Sequence, residues 1–372
     1  MGPHTFDSPA FGIPIGDGWY CQERPTLEHR KTVARSASTP PEVLAALARD
    51  PDVRVRRIVA LNVRTHPQAL STLLHDSDLS CARAAAGNPS TPAESLADIL
   101  KTATDKFVHR AIADNPACPP ELLDVLTVSL DLPTRRRVAG HPRATPEILQ
   151  ALAKDPAPEC RRAVGGNLSA PPGLLAQLAS DRSSMVREAV AANENADAAA
   201  LTILAGDECG PIRRLVAHHR ATPAAVLEAL AHSESIRTLG CFDAARMHAF
   251  LIHPSLPKEA AAELLRGASY RERQRLAQTR STPPHLLTAL AGVPQYGIKR
   301  LIANNASTPP AALVLLAETD EPAIHRALAS HPALPVDVFE RLRLDDPGVR
   351  SAILKNPRAP EHLKVMCALT AA

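Results

Sequence analysis

The stretch Leu47–Asn62, LARDPDVRVRRIVALN, decides the fold because it holds the end of one short helix, a turn and a second short helix. The turn begins at Asp50, followed by a proline; Asp caps helices and Pro fits the first helical position. Beyond the turn, Val55, Ile58 and Val59 share one helical face through their i, i+3, i+4 spacing. Two helices of about ten residues bury too little apolar surface alone, so neighbouring pairs must stack.

The same phrase recurs along the chain, and each copy is marked by one polar residue, which we call the anchor. The anchors are Ser36, Asn62, Asn88, Asn115, His141, Asn167, Asn193, His219, His253, Thr279, Asn305, His331 and Asn356. Consecutive anchors stand 25 to 27 residues apart, except for the 34 residues that separate the anchors of an enlarged repeat at 219–253. The sequence therefore predicts an all-α chain, an α-solenoid of about thirteen two-helix repeats of 26 residues, continuous over residues 28–372.

The loop after each anchor carries the signals for a new helix. A proline follows nearly every anchor by four or five residues, and a Thr often precedes that proline. We expect the Thr to be the N-cap of the first helix, and Thr39 and Thr91 have Glu42 and Glu94 at capping-box spacing. The anchor itself ends each second helix, where we expect its side chain to bond loop backbone and its own backbone to adopt the left-handed conformation.

The phrase at Leu47–Asn62, with NPSTPAESL at Asn88–Leu96, resembles the leucine-rich repeat variant family, which is similar in style to HEAT-type solenoids. The resemblance covers residues 28–370 and implies short helices, sometimes one α and one 3₁₀ per repeat, wound into a right-handed superhelix. A described member of that family holds an iron–sulfur centre in an N-terminal cysteine cluster. Here Cys21 is the only cysteine before Cys81, so we expect no such cofactor, which normally needs four ligands.

Two columns of basic residues on the second helices give the main functional clue. The column six residues before the anchor holds Arg30, Arg56, Arg135, Arg161, Arg187, Arg213, Arg273, Lys299 and Arg350. The column five residues before it holds Lys31, Arg57, Arg83, Arg110, Arg136, Arg162, Arg214, Arg300 and Arg326. At about 100° per residue, the minus-five position points away from the core and the minus-six position lies on its flank.

The two columns lead to different expectations. We expect the minus-six residues to pair with the Asp of the preceding turn, such as Asp50, and so to be structural. The minus-five residues are expected to form an exposed line of positive charge that binds an acidic partner, because the planar guanidinium suits carboxylates and phosphates. The sequence thus indicates a non-enzymatic scaffold that binds a protein or an acidic peptide through the concave face.

A nucleic-acid-binding, HEAT-like protein is the alternative, including one that resembles DNA glycosylases. Duplex binding through phosphates needs only a basic face, whereas the aromatic residues that single-strand binders use are missing from both columns. The formal net charge of +3 gives no field that demands a nucleic acid. The sequence has no GxSxG, HExxH, Walker or GxGxxG motif, so no catalytic residue is predicted.

The remaining features bear on compartment and on the N-terminal segment. Seven cysteines, an odd number without a CxxC pair, argue against a disulfide framework or a zinc site and favour a reducing compartment. We expect a cytoplasmic protein because the chain shows neither a signal peptide nor an apolar run of the roughly 18 residues that span a membrane. Residues 1–27, with Trp19 and Tyr20, are predicted to cap the first repeat or form a flexible tail, and the enlarged repeat has its extra residues near 233–242.

Overall fold

The computed structural model describes residues 13–15, 18–20, 25–232 and 250–370. The chain divides into two compact units, Met1–Ala196 and Asp197–Ala372. Strands β1 (Ile13–Ile15) and β2 (Gly18–Tyr20) form an antiparallel hairpin. The predicted insertion near 233–242 lies outside the described residues, as does most of the predicted cap or tail.

The first unit consists of short helices that alternate between the second and the first helix of a repeat. The second helices are α1 (Leu27–Arg35), α3 (Val53–Leu61), α5 (Leu79–Ala86), α7 (Lys106–Asp114), α9 (Leu132–Gly140), α11 (Pro158–Gly165) and α13 (Ser184–Ala191). The first helices are α2 (Pro41–Leu47), α4 (Pro67–Leu73), α6 (Ala93–Thr102), α8 (Pro120–Leu126), α10 (Pro146–Leu152) and α12 (Pro172–Leu178).

The second unit has the same alternation in the part that the structure describes. Its first helices are α14 (Ala198–Ala205), α16 (Ala224–His232), α17 (Lys258–Gly267), α19 (Pro284–Ala291), α21 (Pro310–Ala317) and α24 (Glu361–Leu369), with a 3₁₀ helix at Val336–Arg341 in the same role. Its second helices are α15 (Gly210–His218), α18 (Tyr270–Gln278), α20 (Tyr296–Ala303), α22 (Pro322–Ala329) and α23 (Pro347–Lys355).

Each unit is an α-solenoid, because consecutive second helices pack against one another from α1 to α13 and from α18 to α23, and each second helix also packs against a first helix beside it. Most residues expected in the core are buried: Val55 and Val59 are fully inaccessible to solvent, and so are Ile298 and Ile302, whereas Ile58 is half-buried. The prediction of stacked two-helix repeats is confirmed. Among the described repeats, 3₁₀ geometry replaces an α-helix only at Val336–Arg341.

Thr145 is the N-cap of α10, as predicted, and its hydroxyl accepts the Ile148 N–H at 3.4 Å, but Thr39 and Thr91 do not cap their first helices. The N-caps are Pro40 and Pro92, and neither Thr39 nor Thr91 takes part in a capping box. Their hydroxyls instead donate to the carbonyl six residues upstream, which is Val33 for Thr39 at 2.6 Å. The hydroxyl therefore satisfies a carbonyl at the end of the preceding second helix, one of the groups that a helix end leaves unpaired.

The turn between the two helices also differs from the prediction. The second helix α3 starts after its N-cap Asp52, not at Asp50, and α11 starts after Ala157. Asp50 stands two residues earlier and accepts the Asp52 N–H at 2.9 Å, which is an Asx-type turn. Its carboxylate therefore orders the turn and remains directed towards the neighbouring repeat.

The anchors join successive repeats. Asn88 is 3 % exposed, and its amide nitrogen donates to the carbonyls of Ala60 and Asn62 in the previous repeat at 2.7 and 2.9 Å. Its amide oxygen accepts the N–H of Ser90 at 2.9 Å. The backbone at Asn62 and Asn115 is extended, with φ of −75° and −71°, so the predicted left-handed conformation is wrong. The predicted bond to loop backbone is correct, and the bonds between repeats are additional to it.

Histidine anchors make the same link with one donor fewer. His141 donates from Nε2 to the carbonyl of Asn115 at 2.9 Å and accepts the Arg143 N–H on Nδ1 at 3.1 Å. Only the neutral tautomer with hydrogen on Nε2 satisfies both bonds. The same pair of bonds occurs at His253 and His331.

Candidate functional site

Basic residues at minus six tie neighbouring repeats together. Arg56 makes two bonds to the Asp76 carboxylate, from Nε at 2.7 Å and from Nη2 at 3.0 Å. Its Nη1 donates to the main-chain carbonyl of Asp50 at 2.8 Å. The structural role predicted for this column is thus present, but the carboxylate belongs to the next turn and not to the preceding one. The same arrangement joins Arg30 to Asp50, Arg135 to Asp155 and Arg161 to Asp181.

In three described repeats whose minus-six residue is not arginine, the minus-five arginine pairs with the carboxylate instead. Arg83 follows Ala82 and pairs with Asp105 at 2.7 Å. Arg110 follows a histidine and pairs with Asp131, also at 2.7 Å. Arg326 likewise follows a histidine and pairs with an aspartate of the next turn.

In two of these repeats, a histidine at minus six makes the carbonyl contact that a minus-six arginine makes elsewhere. His109 and His325 sit at minus six and bond the carbonyl six residues upstream, at 3.0 and 2.5 Å. In these repeats the histidine therefore bonds to the carbonyl, and the arginine that follows it pairs with the carboxylate. A single minus-six arginine, such as Arg161, serves both.

The expected line of unpaired charge is therefore interrupted. Among the nine predicted binding residues, Lys31 pairs with Glu28 on its own helix, and Arg83, Arg110 and Arg326 pair with aspartates. The prediction that these are unpaired is wrong, because one helical position of difference still lets a long side chain reach the next turn. Arg214 is half-buried in the second unit. The exposed residues whose side chains bond to nothing described are Arg57, Arg136, Arg162 and Arg300.

The carboxyl groups of Asp76 and Asp131 have pKa values below the usual aspartate range. Hydrogen bonding from the Arg56 guanidinium lowers the pKa of Asp76, and hydrogen bonding from Arg110 lowers the pKa of Asp131. These aspartates hence remain charged at neutral pH. An aromatic ring adds to the same cluster: Phe107 has the guanidiniums of Arg83 and Arg110 at 4.3 and 4.7 Å from its centre, within cation–π range.

An open groove of about 630 Å³ lies over α9, α11 and α13 in the first unit. Arg136 and Arg162 project from adjacent second helices along it, and Leu168 and Met185 supply exposed apolar surface, being 60 % and 42 % accessible. This groove brings together two of the predicted binding residues. Arg57, Arg300 and the other predicted residues do not line it.

The charges in the groove are only partly matched. Arg137 pairs with Asp114 at 2.6 Å, which neutralises both. Arg136, Arg162 and Glu159 line the same groove, and their side chains bond to no other residue in the described part of the chain. Sequence reasoning missed the groove, although the glycines at 140 and 166, each just before an anchor, were a visible signal of it.

The potential metal ligands, the thiols and the helix lengths of the described residues bear on functions other than binding. No three His, Cys, Asp or Glu side chains gather as metal ligands within residues 25–232 and 250–370. The thiols of Cys81, Cys118 and Cys160 are buried, and burial raises their pKa values to about 11, 11 and 12. Over the described ranges, none of the helices combines the length and the apolar character that crossing a bilayer requires.

The repeat geometry defines a class of protein, the α-solenoids built from helix pairs, to which this chain belongs. Comparison with known families gives a more specific result: residues 53–78 match the leucine rich repeat variant and residues 80–133 the Leucine Rich Repeat Variant domain. The repeats within these two ranges are therefore similar to those of the leucine-rich repeat variant family.

Solved structures and curated proteins were also compared with the chain. One similar structure, "a leucine-rich repeat variant with a novel repetitive protein structural motif", is 24% identical over 60% of this chain and 86% of that chain, with a TM-score of 0.42. An engineered protein is 18% identical over 92% and 93% of the two chains, with a TM-score of 0.22. None of the curated proteins matches.

Proposed function

We propose that this chain is a non-enzymatic binding scaffold whose first unit recognises an acidic protein or peptide through the groove over α9, α11 and α13. The observation that carries the proposal is the contrast within one column: Arg83 and Arg110 are held by aspartates, whereas Arg136 and Arg162 line a groove and bond to nothing described. Exposed guanidiniums that the fold does not use are available to carboxylates of a partner, which they bind in a bidentate manner.

The groove suits a protein better than a nucleic acid. Glu159 lies in the same groove as the two arginines, so the groove does not present the unbroken positive surface that a continuous phosphate backbone requires. Leu168 and Met185 offer apolar contact, which protein partners supply more readily than phosphates do. We further propose a cytoplasmic location, because the five described cysteines are free and four of them are buried.

The test is a titration by fluorescence anisotropy with labelled polyglutamate at low salt. Replacing Arg136 and Arg162 together with Glu is expected to weaken binding by at least about tenfold, since two attractions become repulsions. Each arginine is also changed to Glu singly, and Arg49→Glu is the matched control for these single variants, because it changes net charge equally from an exposed position that does not line the groove.

Three outcomes oppose the proposal. Unchanged binding in the double variant contradicts the groove, and an equal loss in Arg49→Glu attributes binding to net charge alone. A parallel arm uses labelled duplex DNA. Tighter binding of the duplex than of polyglutamate, lost in the double variant, would favour the nucleic-acid alternative.

A further inference from the structure

The floor of the groove is formed partly by two glycines that the fold does not need. Gly140 ends α9, and a Cβ placed there would meet no atom within 4 Å. At Gly166, after α11, a Cβ would meet only the Arg162 and Ala163 carbonyl oxygens, at 3.6 and 4.0 Å. Gly166 has φ of −88°, which any residue adopts. Glycine loses more conformational freedom on folding than any other residue, so both positions cost stability although neither is required by close packing.

The adjacent Gly165 shows what a structural glycine looks like in the same helix. A Cβ there would approach Val190 Cγ2 at 3.1 Å and the Val186 carbonyl oxygen at 3.4 Å. Gly165 is buried and allows α11 to pack closely against α13. Gly140 and Gly166 have no such neighbour, and what they provide is an open floor beneath Arg136 and Arg162.

The spacing of the arginines points to the conformation of the ligand. Packed helices lie about 8–10 Å apart, which sets the distance between equivalent positions on α9 and α11. A polyproline II chain rises about 3.1 Å per residue with three residues per turn, so every third side chain is on the same side, about 9 Å further along. Acidic residues three apart on such a chain therefore match the two arginines.

We infer that the groove receives an acidic peptide in the polyproline II conformation, with its main chain against Gly140 and Gly166 and successive carboxylates, three residues apart, on Arg136 and Arg162. The unpaired Glu159 carboxylate accepts hydrogen bonds from the main-chain N–H groups of the peptide, which polyproline II leaves free. This inference rests on the proposed function and adds the shape and spacing of the partner to it.

The experiment compares two labelled peptides of the same composition, made of Glu and Pro. In one, Glu occupies every third position; in the other, all Glu residues are contiguous. The full chain is titrated with each, as the original protein and as Gly140→Leu and Gly166→Leu variants. Gly173→Leu is the matched control, because a Cβ at Gly173 on α12 also meets no atom within 4 Å but lies outside the groove.

The spaced peptide is expected to bind more tightly than the contiguous one, and each groove variant to weaken it by at least about tenfold. Gly173→Leu is expected to bind like the original protein. All three variants should unfold at or above the original thermal midpoint, since the new Cβ meets nothing closer than ordinary van der Waals contact and a side chain restricts the unfolded chain more than glycine does. If a Leu variant has a lower midpoint, Gly140→Ala is tested as well. Its smaller side chain fills less of the groove, so it should weaken binding less than Gly140→Leu does.

The results separate the two proposals. If the Leu variants bind normally while the Arg136 and Arg162 double variant does not, the proposal of an acidic partner is supported, but the inference that its main chain lies against Gly140 and Gly166 is overturned. Equal binding of the two peptides overturns the inference that carboxylates three residues apart match Arg136 and Arg162. No binding of either peptide at low salt overturns both the inference and the proposed function.

Discussion

Two adjacent arginines in α11 should differ strongly in their effect on stability when each is changed to methionine. The side chain of Arg161 is 7 % exposed and that of its partner Asp181 is 8 % exposed. Arg161 donates to Asp181 twice, at 2.7 and 3.0 Å, and to the Asp155 carbonyl at 2.8 Å. Arg162 is exposed and makes no side-chain bond in the described part of the chain. Methionine keeps length and helix propensity in both variants, so the comparison isolates the bonds.

The expected loss of stability follows from the Asp181 carboxylate, which Arg161→Met leaves buried without its partner. Removing one partner of a buried ion pair costs about 3–5 kcal/mol, because the other charge stays desolvated. Asp181 keeps the N–H of Ser183 at 2.8 Å, which places this case at the lower end, about 3 kcal/mol. Arg162→Met should change stability by less than about 0.5 kcal/mol.

The assay is thermal and urea unfolding of both variants, with amide hydrogen exchange across α11 and α13 because a repeat array need not unfold in one step. A loss of about 3 kcal/mol corresponds to roughly 6–12 °C in a unit of this size. The reasoning is refuted if the two variants differ by less than about 1 kcal/mol, or if faster exchange in Arg161→Met does not include the Ser183 amide.

Three further perturbations test separate parts of the repeat. Asp76→Asn should destabilise the chain at pH 7. Because the pKa of Asp76 is lowered in the folded chain, its carboxylate stabilises the fold above the ordinary aspartate pKa of 3.8, and this stabilisation is lost as the group protonates at lower pH. The difference in stability between the variant and the original protein should therefore shrink below pH 3.8, as measured by urea midpoints across pH. Gly165→Ala should cost about 1–2 kcal/mol by crowding Val190, whereas Gly140→Ala should add up to about 1 kcal/mol, both read from thermal midpoints. His141→Asn should add about 1 kcal/mol, because the amide can donate to a second carbonyl as Asn88 does; the midpoint should rise.

Each of these has an outcome that contradicts it. A pH-independent deficit in the Asp76 variant would mean that the carboxylate charge does not contribute. Equal midpoints for the two alanine variants would show that α11 and α13 adjust without cost. A lower midpoint for His141→Asn would show that the imidazole ring contributes by packing, and the reverse change, Asn88→His, provides the control because it should lose the same bond.

The repeat, its period and its core could be read from the sequence. Regular anchors and the spacing of Val55 and Val59 depend on local periodicity, which a single chain displays. The exposure of Arg136 and Arg162 also followed from helix phase alone. These predictions hold in the structure because each repeat packs against neighbours that have the same sequence pattern.

The errors concern contacts that cross from one repeat to the next. Whether Arg56 reaches Asp50 or Asp76 depends on how two repeats are offset, which spacing within one repeat does not encode. The same offset lets Arg83 and Arg110 take the place of a minus-six arginine. Thr39 was assigned to the wrong helix because its hydroxyl serves either as an N-cap acceptor or as a donor to the helix behind it, and only the backbone path decides.

The anchor bonds have a consequence for how the chain folds. Asn88 reaches back 26 and 28 residues to Asn62 and Ala60, and the Arg56 pair spans 20 residues, in a chain of 372. Bonds of such short range require only small loop closures, whose entropy does not increase with total length. Contact order therefore stays low, and a formed repeat offers the carbonyls that order the next one. Folding can nucleate at any stable repeat and grow outward, so gaining or losing a whole repeat would leave its neighbours competent to fold.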